Sequence, residues 1–395
     1  MSLIKPIISN NLHQFSEKIH IEPDQRMPIL FFQIASYLTD PICKAHEFYR
    51  RFQIVSYIDT RSYKISNYIK KIFLLLGFLI TSSIAIPSAI LGIAFRYFGS
   101  CLQKKLYIHL KGKSPDKILR NHTFNLLSWN ICGISGGYSI TDGGVMPIWL
   151  SRIKKISNQL LKTKCDVICL YEVFDINLAL HLQQKLKKEY AHFYFNIGPN
   201  ILGVSSGMFV ASKFKIQNPN FSAFPPKALV GRTTYTKKGF FSFDLQSEKR
   251  VFAKIFSTHP QHSEECAYPT GEEKKARKAA IELIQRETEN EKNKAVIVTG
   301  DLNLDDDEYT SLNISKLFEK KTNYNNKFTW GGDKFCATLV AKRASPGLNL
   351  DHTLVKKGSA KSIVTSLLET FYDDKKIEDE ALSDHCGLIS EIELN

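Results

Sequence analysis

At six places along this 395-residue chain, a short apolar run meets carboxylate, amide or imidazole side chains. Asn130 closes LLSWN, Glu172 closes DVICLYE, and His259 closes VFAKIFSTH. Asp301 and Asn303 close AVIVTGDLN, Asp351 closes GLNLD, and Asp384 and His385 stand in LSDH. Singly, a carboxylate after a strand is often a turn or helix-cap residue, but six such ends with one chemical palette exceed what turns require. Carboxylate and amide oxygens suit a hard cation, Mg²⁺ with Mn²⁺ as a substitute, which takes few protein ligands and keeps several waters. Two histidines beside carboxylates suit proton transfer and stabilisation of a phosphoryl oxygen. Asp301 and Asn303 are two apart, so in an extended segment both side chains point the same way. One can orient a water while the other donates to a phosphate. Metal-assisted attack of water on a phosphate ester uses the whole set. The chain has no HExxH helix or His-rich spacing, which sets a zinc hydrolase aside.

The elements that must hold these groups begin at Phe124. FNLLSWNI, DVICLYEV, GMFVAS, GFFSFDL, VFAKIFSTH, AVIVTGDLN and LDHTLV have strand length and character. EEKKARKAAIELIQRETENEK places Ala276, Ala280, Leu283 and Ile284 at helical spacing with a charged outer face. Trp149–Leu161 and Asn177–Leu186 carry weaker helical periodicity. Interleaved strands and helices indicate an α/β class, while the lack of a glycine-rich loop after the first strand disfavours a dinucleotide-binding fold. The bulk composition, 43% hydrophobic and 23% charged, excludes a disordered or collagen-like chain. Eight scattered cysteines form no CxxC pair and read as reduced thiols.

The N-terminal part differs. The net charge of +14 divides into +10 over residues 1–120 and +4 over the rest, so the basic excess lies outside the region with the chemistry. The opening MSLIKPIISNNLHQFSEK is too polar for a secretory signal peptide. Ile72–Phe95 is a run of 24 residues without a charge, flanked by Lys70, Lys71 and Arg96, and about 20 apolar residues cross a bilayer as a helix. Pro87 at its centre predicts a kink or a re-entrant segment. The flanking charges leave orientation open. The organisation expected is a basic region of unknown role over 1–71, a transmembrane or membrane-embedded segment over 72–95, a basic juxtamembrane linker over 96–122 that could lie on anionic lipid, and a catalytic domain over 123–395.

The pieces SWN (128–130), YEV (171–173), THPQ (258–261), GDLN (300–303), LDHTLV (350–355) and SDH (383–385) resemble, in order, the signatures of the endonuclease/exonuclease/phosphatase superfamily with the deoxyribonuclease-like fold. The resemblance covers about 270 residues, from Phe124 to the C-terminus. It implies a four-layer α/β sandwich of two packed mixed β-sheets flanked by helices, with the active site at one end. It also implies roles. Glu172 would be the principal Mg²⁺ ligand with Asn130 beside it, and Asp384 would help bind metal or fix the loop. Asp301 would orient or deprotonate the attacking water, and Asn303 would contact the scissile phosphate. His259 and His385 would stabilise the transition state or protonate the leaving group, with Asp351 orienting His385.

STHPQHSEECAYPTGEEKKARKAAIELI is similar to the neutral sphingomyelinases, and so is the Lys-Gly strand entry TYTKKGFFSFDL, which phosphoinositide 5-phosphatases share in comparable form. GLNLDHTLV lacks those phosphatases' Cys-Asp-Arg and has His352 where an aromatic residue commonly stands. Abasic-site endonucleases share SDHC but carry Gln-Glu-Thr in place of Tyr171-Glu172-Val173. Duplex DNA binding uses several Lys/Arg–phosphate contacts, and the catalytic region is nearly charge-balanced, so nucleic acid is the less favoured partner. Arg232 and Lys238, in FSAFPPKALVGRTTYTKKG, are candidates to touch lipid and steer a phosphate. The expected function is a membrane-anchored Mg²⁺-dependent phosphodiesterase acting on a phospholipid head group, foremost sphingomyelin. Its rivals are a nuclease on the same fold, a phosphoinositide phosphatase, and a membrane-tethered binding module without catalysis.

Overall fold

The computed structural model describes residues 23–59, 65–134, 149–200, 204–264, 268–292, 294–324, 327–330, 347–368 and 382–395. Cys266, Cys336 and, within the N-terminal region 1–71, residues 1–22 and 60–64 lie outside these. The six described cysteines are free thiols.

Two long helices come first, α1 (Pro23–Asp59) and α2 (Ile65–Leu102). They pack as an antiparallel hairpin, with Gly99 against Phe32, Gly92 against Thr39 and Gly77 against Phe48. A Cβ on Gly92 would stand 2.8 Å from the Thr39 methyl, so the missing side chains let the helices close. α2 is much longer than the 24-residue apolar run and stays one element through Pro87. The catalytic region follows as β1 (Ile108–Lys111), β2 (Thr123–Asn130), α3 (Trp149–Thr163), β3 (Val167–Tyr171), α4 (Ile176–Leu186), β4 (His192–Phe195), β5 (Phe209–Ser212), β6 (Lys215–Ala223), β7 (Gly239–Ser247) and β8 (Arg250–Thr258). Then come α5 (Gly271–Glu289), β9 (Ala295–Asp301), α6 (Asp306–Ser311), α7 (Ile314–Leu317), β10 (Phe318–Glu319), β11 (Asp351–Lys356), β12 (Ser362–Leu368) and β13 (Gly387–Glu393).

The strands form two sheets, ordered β1-β4-β5-β3-β2-β13-β12 and β10-β11-β9-β8-β7-β6. Both are mixed, because β2/β3 and β8/β9 are parallel and the other pairs are antiparallel. Strands buried on both faces read as continuous apolar runs, and VICLY and AVIVTGD are buried at every position. Three apolar clusters fill the three spaces of a four-layer sandwich. Phe124, Phe214, Phe241 and Ile297 pack between the sheets. Leu127, Trp129, Ile156 and Leu182 pack beneath α3 and α4. Phe240, Val298, Ala280 and Ile284 pack beneath α5. The hairpin joins the second of these clusters through Ile29 and Phe32.

The segment 96–122, read from sequence as a linker, is partly structural. Its residues Ile108–Lys111 pair antiparallel with His192–Phe195 and complete one edge of the first sheet. At the other critical place, β9 lies so close to β8 that a Cβ on Gly300 would sit 1.9 Å from the Thr258 carbonyl oxygen. Only glycine permits that approach. Gly300→Ala should therefore force the strands apart beside Asp301, costing about 1–3 kcal/mol, read as a lowered Tm with the far-UV circular dichroism retained.

Candidate active site

Three adjacent strands of each sheet present a terminus at the same edge of the sandwich. In the first sheet, β3–β2–β13 deliver Glu172 just after β3, Asn130 at the end of β2, and Asp384 with His385 just before β13. In the second, β8–β9–β11 deliver His259 just after β8, Asp301 at the end of β9, and Asp351 at the start of β11. Asp301 and Asp351 are direct cross-strand partners. Tyr171 ties the two trios beneath the site: its hydroxyl donates to Thr299 O (2.9 Å) and shares a hydrogen bond with Ser257 Oγ (3.0 Å).

Asp301 Oδ2 is the focus. Asn130 Nδ2 donates to it at 3.0 Å, and the Nε2 atoms of His259 and His385 stand 3.4 and 3.7 Å away. The other Asp301 oxygen accepts the Asn303 backbone N–H at 3.1 Å. His385 Nδ1 bonds Asp351 Oδ2 at 2.8 Å, which orients the ring. Burial works against a charged His385, but the carboxylates of Asp351, Asp301 and Asp384 hold its pKa well above the usual histidine value. Burial pushes His259 the other way, well below that value, with Lys238 adding to the effect. One imidazole is thus held as a cation and the other neutral.

Several polar atoms here lack a hydrogen-bond partner. They are both ring nitrogens of His259, Asn303 Nδ2 and Asp351 Oδ1, all buried. Buried polar groups are rarely left so, and of these residues His259 and Asn303 line one cleft. The cleft, of about 670 Å³, is lined by Glu172, Lys238, His259, Asp301, Asn303, Asp384 and His385. Lys238 is buried, donates to Pro260 O at 2.8 Å, and is pushed down to about 8 by burial, against the pull of Glu172 and Asp301. Arg232 reaches the rim exposed, with its guanidinium paired to Glu264.

One corner of the cleft fits a divalent cation. Glu172 is half-buried and its carboxyl is pushed up to about 7, first by desolvation and then by the neighbouring Asp384 carboxylate, a destabilised anion that a cation would relieve. Among the described residues, Asp301, Asp351 and His385 also form a candidate metal group, with ligand atoms all within 4.8 Å of one another. That group is already compensated by the cationic His385. Asn130 Oδ1 accepts the Cys132 N–H at 2.9 Å.

Backbone conformation aims these side chains. Glu172 (φ 62°), Cys132 (φ 47°), Lys237 (φ 43°) and Asn303 (φ 54°) are left-handed, which is costly for residues other than glycine and gathers at functional sites. Asp301 and Asn303 do share the cleft, yet a left-handed turn brings Asn303 there rather than strand alternation. His352, flagged from sequence, points away: its Nε2 lies 3.1 Å from Leu304 O and its ring stacks on Tyr309.

Sequence reasoning missed several contributors. Arg152 is buried and donates to Ile131 O (2.9 Å) and Cys132 O (2.6 Å), clamping the backbone beyond Asn130. Arg277 forks onto Glu308 (3.0 and 2.7 Å) and reaches Ser263 Oγ, tying α5 to the loop after His259. Trp129 Nε1 donates to His385 O at 3.0 Å. Thr39, Ile42 and Cys43 of α1 and Arg96 of α2 line the same cleft. A buried arginine within a helix reads in sequence like any solvated charge, so only the contacts expose it.

The comparisons agree with this architecture. The Endonuclease/Exonuclease/phosphatase family model matches residues 127–385. Sphingomyelin phosphodiesterase 5 of Danio rerio is 29% identical over 115 residues, covering 25% of this chain and 21% of that protein, so the chain matches about a fifth of that relative's length. The fold is similar to beta toxin from Staphylococcus aureus (TM-score 0.57, 20% identity, 68% of this chain and 99% of that one). It is also similar to sphingomyelinase C from Streptomyces griseocarneus (TM-score 0.53, 18% identity, 68% and 99%), and to a beta toxin variant with bound magnesium ions (TM-score 0.55, 19% identity, 68% and 98%).

Asp351→Asn removes the carboxylate that favours the imidazolium. The His385 pKa should fall by roughly 1–3 pH units, as read by NMR titration of the ring. An unmoved titration would break the pairing.

Proposed function

The chain belongs to the endonuclease/exonuclease/phosphatase family, and on that premise we propose that it is a membrane-attached, Mg²⁺-dependent phosphodiesterase that hydrolyses sphingomyelin to ceramide and phosphocholine. The observation that carries the phosphate chemistry is the set of unsatisfied buried groups around Asp301, namely Asn303 Nδ2 and the His259 ring nitrogens. A tetrahedral phosphate offers oxygens to the donors in such a set, and groups held in place beforehand stabilise charge as it develops. Support for the substrate is the name of the Danio rerio relative, and support for the metal is the bound magnesium of the beta toxin variant. The long apolar helix, with a mean hydropathy of 2.1 over its most apolar window, supports membrane attachment.

The residues divide the work as follows. Glu172, with Asn130 and Asp384 beside it, would hold Mg²⁺. When bound, the ion neutralises phosphate charge and eases departure of the leaving oxygen. Asp301 orients the attacking water and takes its proton, and Asn303 and His259 bind the phosphate oxygens. His385, kept cationic by Asp351, gives its proton to the departing ceramide oxygen. One P–O bond forms to the water oxygen, and one breaks to ceramide. Arg232 at the rim and Lys238 deeper in the cleft would draw the negatively charged phosphate of the zwitterionic head group inward.

Offered sphingomyelin vesicles, a phosphoinositide and supercoiled plasmid in parallel, the full-length protein should release phosphocholine in Mg²⁺ and not in EDTA. Plasmid nicking alone, or inorganic phosphate from the phosphoinositide alone, would overturn the substrate and keep the site. Glu172→Gln should abolish Mg²⁺-dependent turnover with the fold intact, because it removes a charged ligand and little volume. His385→Ala should slow turnover at least about a hundredfold. Since a ligand carboxyl must be ionised and burial raises that of Glu172 to about 7, Mg²⁺ affinity should be full above that pH and weaken as pH falls through it, as measured by titration calorimetry.

A further inference from the structure

The membrane part of the reading above leaves two arrangements for the α1–α2 hairpin, crossing the bilayer or lying within one leaflet. Side-chain contacts set the register of the two helices. The ring of Phe31 packs 5.6 Å from Phe95 and 6.3 Å from Phe98, and Tyr49 packs 5.9 Å from Phe78. Between these points the Ser88 hydroxyl donates to Leu38 O, and Gly92 lies against Thr39. The middle of the apolar run of α2, between Gly77 and Ser88, is thus flanked by the part of α1 that carries Asp40, Lys44, Glu47, Arg50 and Arg51.

Those charges are not all buried between the helices. Arg50 forks onto Glu47 at 2.8 Å through both Nε and Nη2 and is buried. The side chains of Lys44, Arg51 and Asp40, however, are 62%, 55% and 48% exposed. Asp40, Lys44 and Arg51 recur at i, i+4 and i+11, so their exposed charges form one stripe, with the buried Glu47 on the same line, turned away from Phe31, Leu38 and Tyr49, which meet α2. On α2, Ile72, Phe73, Leu76, Ile80, Ile86 and Ile90 are exposed without a polar neighbour of comparable size on that face. A crossing hairpin would carry the charged stripe to the depth of the acyl chains and turn it toward lipid, where ionised side chains are costly. A hairpin lying in the interface places each face in the medium it suits.

We propose that the hairpin is a monotopic element lying along one leaflet, with the outer face of α2 among the upper acyl chains and the charged stripe of α1 in water. The bilayer is its partner, met from one side only. Thr39, Ile42 and Cys43 of the same α1 line the catalytic cleft, so the cleft lies beside the hairpin. Of the two readings of 72–95, transmembrane or membrane-embedded, this takes the embedded one.

The test uses full-length protein bound to phosphatidylcholine–sphingomyelin vesicles. A membrane-impermeant amine reagent is added outside, and modification is read peptide by peptide. Lys44 should react at a rate similar to that of the exposed Lys188 of the catalytic domain. In parallel, Ile80→Trp should be quenched by lipids bearing a nitroxide high on the acyl chain. Protection of Lys44 until detergent is added means a crossing hairpin and overturns the proposal. A reactive Lys44 with an unquenched Ile80→Trp means the hairpin stays off the lipid, and overturns it equally. Neither readout uses turnover, so a different substrate would sink the reading above and leave this result standing.

Discussion

Burying carboxylates is the constraint around which the catalytic end is organised. Asp301 and Asp351 are buried, with Glu172 and Asp384 half-buried beside them. Isolated buried anions are costly, and a protein either neutralises them or supplies partners. Here the partners are few and fixed. His385 is charged by three of the acids, Asn130 donates to one, and Lys238 sits where it feels both Glu172 and Asp301. Glu172 and Asp384 are the pair left least compensated, which makes that corner the natural seat for a divalent ion. The same imbalance separates the two histidines into a cation and a neutral ring, a division of labour set by surroundings rather than by residue type.

Holding such a cluster against its own repulsion requires a stiff frame. The two trios of strands supply it, joined beneath the site by the Tyr171 hydroxyl and braced outside by two buried arginines. Arg152 grips carbonyls beyond β2, and Arg277 anchors the loop that follows His259. Neither arginine lines the cleft; each fixes backbone from which a cleft residue projects.

Strands that bury both faces were legible because they read as unbroken apolar runs, as in VICLY and AVIVTGD, and their polar ends marked the site. β6 was not, since KIQNPNFSA breaks alternation with Pro219 and a register shift between Gln217 and Asn220. β1 was hidden within a lysine-rich stretch that resembles a linker until its partner, β4, is known. The apolar run of α2 was evident, but α1 was not seen as its partner, because a helix that covers one side of another needs only a narrow apolar stripe. Interactions distant in sequence, such as Trp129 with the His385 carbonyl, leave no local signature at all.

The left-handed residues carry a consequence for how this protein can change over generations. Glu172, Cys132, Lys237 and Asn303 occupy conformations that glycine would adopt with less strain. Loss of chemistry at Glu172 through glycine would relax the backbone and remove a desolvated anion at once, so decay of activity there runs downhill in stability. β-branched residues at the same positions are penalised whatever their chemistry. In an inactivated descendant, the fold alone would keep filtering these sites. An unchanged Asn303 would then testify to a turn, while an unchanged Glu172, which the backbone disfavours, would testify to function.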